Sequence, residues 1–93
     1  MAESSTGLGR EIQVTVRYFA AAREAAGLDA QTLTLQHGTT MAELRENLAT
    51  QNPRLAVVLR RCSYLCRGIA VRDLTMALSC GDTVDVLPPF AGG

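Results

Sequence analysis

Residues 83–93 read Thr-Val-Asp-Val-Leu-Pro-Pro-Phe-Ala-Gly-Gly, and this stretch decides the fold. An apolar strand, Thr83-Val84-Asp85-Val86-Leu87, runs straight into Pro88-Pro89. Proline fixes φ and lacks a backbone N–H, so sheet pairing stops at Pro88. The proline pair favours an extended polyproline II path that holds the last four residues away from the body. Those residues, Phe90-Ala91-Gly92-Gly93, give a reach of roughly 13 Å when extended. Glycine has no Cβ, so Gly92-Gly93 is the thinnest backbone a protein can offer. It could enter a narrow channel in another protein and present a terminal carboxylate there. Residues 88–93 therefore read as a working tail and residues 11–87 as its folded handle. Residues 1–10, small and polar, read as a disordered extension.

The rest of the chain is patterned around that last strand. From Ile12 the residues alternate, with Ile12, Val14, Val16 and Tyr18 on one face and Gln13, Thr15, Arg17 and Phe19 on the other. That is a half-buried strand. Ala20 to Ala26 favours helix, and Gly27 suits its C-terminal cap. Gln31 to Gln36 alternates again, as a second strand paired antiparallel to the first. Thr40 and Glu43 have the spacing of a capping box, and Met41, Leu44 and Leu48 form one helical stripe behind it. Pro53 marks that helix's end, with another turn or two of helix over Leu55 to Arg60. Tyr64 to Cys66 and Ile69 to Val71 are short strands around Arg67-Gly68, and Gly81-Asp82 turns the chain into the final strand. This is an α+β order, with a mixed sheet packed on one main helix. If the last connection wraps across that helix, the first and last strands lie side by side and parallel. Phe19 and Leu87 then meet at the same end, as an apolar spot beside the departing tail, the alternative being that Phe19 folds under the Ala20–Ala26 helix. Asp82 and Asp85, at the turn and on the outer strand face, are expected to meet solvent.

Composition narrows the function classes. Ninety-three residues with 47% hydrophobic content make one domain with enough apolar material for a core. Nine Arg balance nine Asp plus Glu, so no basic footprint for nucleic acid is present. There is no lysine, so the chain cannot carry a branch of its own kind on a lysine side chain. The longest apolar run, Leu55 to Leu59, is far short of a membrane span, and no secretory signal is visible. Three cysteines, an odd number, do not suggest a disulfide framework, and a reducing cytoplasm is the expected location. Cys62, Cys66, Cys80 and His37 have the residue types of a zinc site. Residues 62–66 read as extended, which would separate two of the sulfurs by about 13 Å. No metal site is expected, and all three cysteines read as small core residues. No nucleophile motif, phosphate loop or paired-carboxylate pattern is present.

Val16-Arg17-Tyr18-Phe19-Ala20, then Arg23-Glu24 and Gly27, resembles the opening signature of the small subunit of molybdopterin synthase, a ubiquitin-like sulfur carrier family. Gly81 to Pro89, followed by Gly92-Gly93, is similar to that family's close. The resemblance covers residues 12–93 and implies the ubiquitin-like β-grasp fold. It implies that an ATP-dependent adenylyltransferase, of the ubiquitin-activating type, adenylates the carboxylate of Gly93. Sulfur then displaces AMP to leave a thiocarboxylate. The synthase large subunit would receive the tail and pass the sulfur to cyclic pyranopterin monophosphate, building molybdopterin for the molybdenum cofactor. On this resemblance the chain binds no cofactor, ATP being consumed by the partner, and is no enzyme on its own. Phe19, Leu87 and Val71 match partner-contacting positions, with Pro88, Pro89, Phe90, Ala91 and Gly92 as the tail that the partner holds. The chain departs from the family in having Arg67-Gly68 where Asn-Gly is frequent, and Phe90 where a smaller aliphatic residue is frequent.

Three other readings fit parts of this pattern. A sulfur carrier for thiamine, cysteine or tRNA thiolation would use the same tail chemistry with a different acceptor. A ubiquitin-like modifier would form adducts on lysines of other proteins. A plain binding module would tolerate residues added after Gly93.

Overall fold

A computed structural model describes residues 10–89, in the order β1 Glu11–Tyr18, α1 Ala20–Ala26, β2 Ala30–Gln36, α2 Met41–Gln51, α3 Pro53–Leu59, β3 Ser63–Cys66, β4 Ile69–Ala70 and β5 Thr83–Leu87. The strands form one sheet in the order β2-β1-β5-β3-β4. β1 pairs antiparallel with β2 and parallel with β5, and β3 pairs antiparallel with both β5 and β4. The mixed sheet expected from the alternating segments is therefore present, with the first and last strands side by side.

The alternation in β1 has its predicted consequence. Ile12, Val14, Val16 and Tyr18 are buried, whereas Glu11, Gln13 and Arg17 face outward. Val84 and Val86 of β5 lie on the same inner face. α2 lays Met41, Leu44 and Leu48 into this layer, all essentially inaccessible, and α3 adds Leu55 and Leu59. The i, i+3, i+7 spacing of the α2 stripe keeps these side chains on one side of the helix, which drives it onto the sheet.

Local signals fix the helix ends. The N–H of Glu43 donates to Thr40 Oγ1 (3.1 Å), and the N–H of Thr40 donates to Glu43 Oε1 (2.9 Å). Two of the four orphan donors at the α2 start are thereby satisfied reciprocally. Pro53 ends α2 and also opens α3 as its first residue, where a missing N–H costs nothing. Asn52 joins the two helices. Its Oδ1 accepts from the N–H groups of Arg54 and Leu55, and its Nδ2 donates to the carbonyl of Ala25 at the end of α1. Gly27, with φ +80°, closes α1 in the left-handed conformation that glycine adopts without strain.

Between β4 and β5 the chain crosses the start of α2. Met41 and Ala42 donate their N–H groups to the carbonyls of Met76 and Leu74, and Leu78 donates to Thr39. This wrap carries the chain past the helix and makes β5 parallel to β1. Two expectations fail. Asp82 and Asp85 are 3% and 7% exposed, not solvated. Asp82 folds back under its own turn, where Oδ2 accepts from the N–H of Ser79 (2.8 Å) and the thiol of Cys66 (3.5 Å). Asp85 is covered by Arg17 of the neighbouring strand. The cysteines also part company: Cys66 is buried and Cys62 half-buried, but Cys80 is exposed rather than in the core.

Candidate functional site

The site is the end of the sheet where β1 and β5 stop together. Arg17 is registered with Asp85 and Tyr18 with Val86, so Phe19 and Leu87 come next as neighbours. The N–H of Phe19 donates to the carbonyl of Val86 (3.3 Å), extending the parallel ladder by one bond. Pro88 and Pro89 then leave the sheet at this corner, and no described strand continues beyond Leu87.

Phe19 breaks two local rules at once. It is the N-cap of α1, a position that favours Ser, Thr, Asp or Asn, and it offers no capping side chain. The next residue, Ala20, has φ +50°, a left-handed conformation that costs a non-glycine residue roughly 1 kcal/mol or more. A serine at position 19 would cap the helix better. An aromatic side chain held there, 39% exposed, marks a surface role rather than a packing role. Arg17 and Asp85 hold the floor beside it. Nε of Arg17 donates to Oδ1 of Asp85 (2.6 Å) and Nη2 to Oδ2 (2.9 Å), a two-pronged pair. The paired carboxylate pushes the Arg17 guanidinium above its already high value. The Arg17 Cζ lies 5.7 Å from the centre of the Phe19 ring, within cation–π range.

The outer face extends further than the sequence indicated. Leu65 pairs with Asp85 on one side and Ala70 on the other, and Ser63 pairs with Leu87. Leu65 and Ala70 therefore share the outer face with Phe19 and Leu87. Residues 63–70 are too short to show which side of an alternation is buried, so their facing emerges only from register. Val71 goes the other way: it is half-buried and packs against the core, and its N–H donates to the carbonyl of Tyr64. The structure thus brings Phe19 and Leu87 together and does not place Val71 with them. Pro88 and Pro89 also line an open cleft of about 490 Å³ with Ala21, Val57, Val58, Arg60 and Arg61. Phe90, Ala91, Gly92 and Gly93 lie outside the described residues.

Among the described residues, no group of three or more His, Cys, Asp or Glu side chains is placed to hold a metal ion, and no helix is long and apolar enough to cross a membrane. Burial pushes the Cys62 thiol up to about 11. Burial, then the hydrogen bond to Asp82, pushes Cys66 up to about 11 as well. The thiolate is the reactive form, so neither suits nucleophilic work near neutral pH. With an alkylating reagent at neutral pH, Cys80 is expected to label fast, half-buried Cys62 much more slowly, and Cys66 only on unfolding. Cys62 and Cys66 keep their protons in the folded chain to higher pH than in the unfolded chain. Their contribution to stability is therefore complete below about pH 9 and lost as pH rises toward 11. Peptide mapping of the label and denaturation midpoints across that range check both outcomes.

The ThiS family model matches residues 16–93. The chain is 35% identical over 83 residues to the molybdopterin synthase sulfur carrier subunit of Chlamydomonas reinhardtii, covering 88% of this chain and 100% of that one. It is 30% identical over 83 residues to the human molybdopterin synthase sulfur carrier subunit, covering 87% and 94%. Its fold superposes with TM-score 0.63 on a chain of the complex of subunits 1 and 2 of the molybdopterin-converting factor from Helicobacter pylori, at 24% identity over 88% and 100% of the two chains. The family match over most of the chain and the algal and human relatives show that the chain belongs to the ThiS family, and its mixed five-stranded sheet with helices is the ubiquitin-like β-grasp fold.

Proposed function

We propose that this protein is the sulfur carrier subunit of a molybdopterin synthase and that the carboxylate of Gly93 is its reactive group. A carboxylate is a poor electrophile. Its attack on the α-phosphorus of ATP, on a partner adenylyltransferase, releases pyrophosphate and leaves an acyl-adenylate. A sulfide-level nucleophile then displaces AMP and leaves a thiocarboxylate. The tail carries that sulfur, as a nucleophile, to the large synthase subunit and cyclic pyranopterin monophosphate. The chain supplies no acid, base or cofactor to these steps; it supplies reach, a thin backbone and a docking face. The need for ATP and reduced sulfur fits a cytoplasmic setting.

One observation carries this reading. The parallel pairing of β1 and β5 sets Phe19 and Leu87 at the root of the tail, so the face that a partner would hold lies where the chain leaves the sheet. The algal and human sulfur carrier subunits, and the two-subunit Helicobacter complex, support the large subunit as that partner. Aromatic residues in interface centres dominate binding energy. Phe19→Ala is expected to weaken binding to the large subunit by about tenfold or more, read by calorimetry, with melting temperature little changed. Unchanged affinity removes Phe19 from the docking face.

A further inference from the structure

The apolar spot has a charged pair set into it, and that pair is open on one side. Asp85 takes the Nε and Nη2 donors of Arg17, and the Asp85 side chain is 9% exposed whereas that of Arg17 is 52% exposed. A guanidinium has five N–H groups in a fixed fork. Two are used, and among the described residues nothing accepts a hydrogen bond from Nη1. The edge formed by Nη1 and the second hydrogen of Nη2 is a two-donor fork whose spacing matches the two oxygens of one carboxylate. Phe19 stands beside this guanidinium, and Leu65 faces Asp85 from the opposite strand.

We infer that Arg17 is a specificity-determining contact, and that the partner covering this face meets its open edge with a carboxylate. The inference rests on the proposal that the large synthase subunit docks here. Covering Phe19, Leu87 and Leu65 excludes water from Arg17 as well. Donors stripped of water without a replacement acceptor penalise binding, so a partner built only of apolar side chains fits poorly. A carbonyl oxygen fills one prong; a carboxylate fills both and adds charge assistance. Arg17 would then sit between two acids, one from its own sheet and one from the partner. Partners that are apolar but lack the acid would be disfavoured, which gives the face selectivity beyond its hydrophobicity.

The test replaces both members of the pair, Arg17→Leu with Asp85→Leu, so that neither is left buried and unpaired. Binding to the large subunit from the same organism is measured by calorimetry at low and high salt, after melting and spectra confirm the fold. The expected result is a loss of roughly tenfold to a hundredfold in affinity with a flatter salt dependence. Equal or tighter binding overturns the inference, because two leucines enlarge an apolar face. Should the double variant not fold, Arg17→Lys keeps a cation beside Asp85 but cannot form two forks. It is expected to weaken binding several-fold, and unchanged affinity overturns the inference. If the unaltered chain does not bind the large subunit, the partner reading itself fails and this assignment with it. If the unaltered chain binds and the variants bind equally, only this assignment fails.

Discussion

A chain lacking Gly93 is expected to fold normally and to lose sulfur transfer. Deletion moves the terminal carboxylate back by roughly 3.5 Å, onto Gly92. Reacting groups must be held to within a fraction of an ångström, and a misplacement of about 1 Å can cost a hundredfold. A shift of this size is expected to take product formation down by at least about a hundredfold. Addition of one residue after Gly93 displaces the carboxylate the other way and gives the same loss. Neither change touches the folded body, because the described sheet ends at Leu87 and the core lies between the strands and helices. The combination is diagnostic: activity lost, melting temperature unchanged. A binding module whose tail is inert tolerates both changes. A carrier in any sulfur pathway tolerates neither, and only the acceptor separates one pathway from another.

Leu44→Ala is expected to do the opposite, weakening the fold before it touches the chemistry. Leu44 is fully buried at the middle of the α2 stripe, between Met41 and Leu48, against the inner face of β1 and β5. Truncation removes its transfer energy and leaves a cavity, a cost of about 2–5 kcal/mol. Domains of this size are stable by only about 5–15 kcal/mol in total. The midpoint of thermal unfolding is expected to fall by roughly 10 °C or more. Val57→Ala, on the exposed side of α3, is expected to stay within about 0.5 kcal/mol. Chemical denaturation of both variants at neutral pH checks the contrast. A Leu44→Ala chain as stable as the unaltered one would mean that α2 does not anchor the core.

The features legible in the sequence are those that each segment decides locally. The Ile12-Val14-Val16-Tyr18 alternation fixes which face of β1 is buried, and Thr40 with Glu43 fixes the start of α2. Gly27 and Pro53 mark their helix ends because backbone geometry, not tertiary context, selects them. The resemblance at the two chain ends then supplies the fold as a whole. The features that escape depend on neighbours distant in sequence. Asp85 reads as a solvated outward acid, and it is buried because Arg17, 68 residues away along the chain, lies across it. Asp82 reads as a turn residue, and its carboxylate is folded inward onto Ser79 and Cys66. Cys80 reads as a core residue, and the turn before Gly81 leaves it exposed. Leu65 and Val71 sit on faces set by a register that only the folded sheet defines. The left-handed Ala20 has no signature, since alanine ordinarily favours helix.

The central claim is that the chain carries sulfur on its last residue. The most direct measurement is an intact mass of the purified chain with its native C-terminus. It is taken before and after incubation with ATP, the adenylating partner and a sulfide source. A sulfur carrier gains a mass equal to the exchange of one oxygen for one sulfur, mapped by fragmentation to Gly93 and absent without ATP. No gain, with the partner shown to be active on another carrier, would contradict the claim.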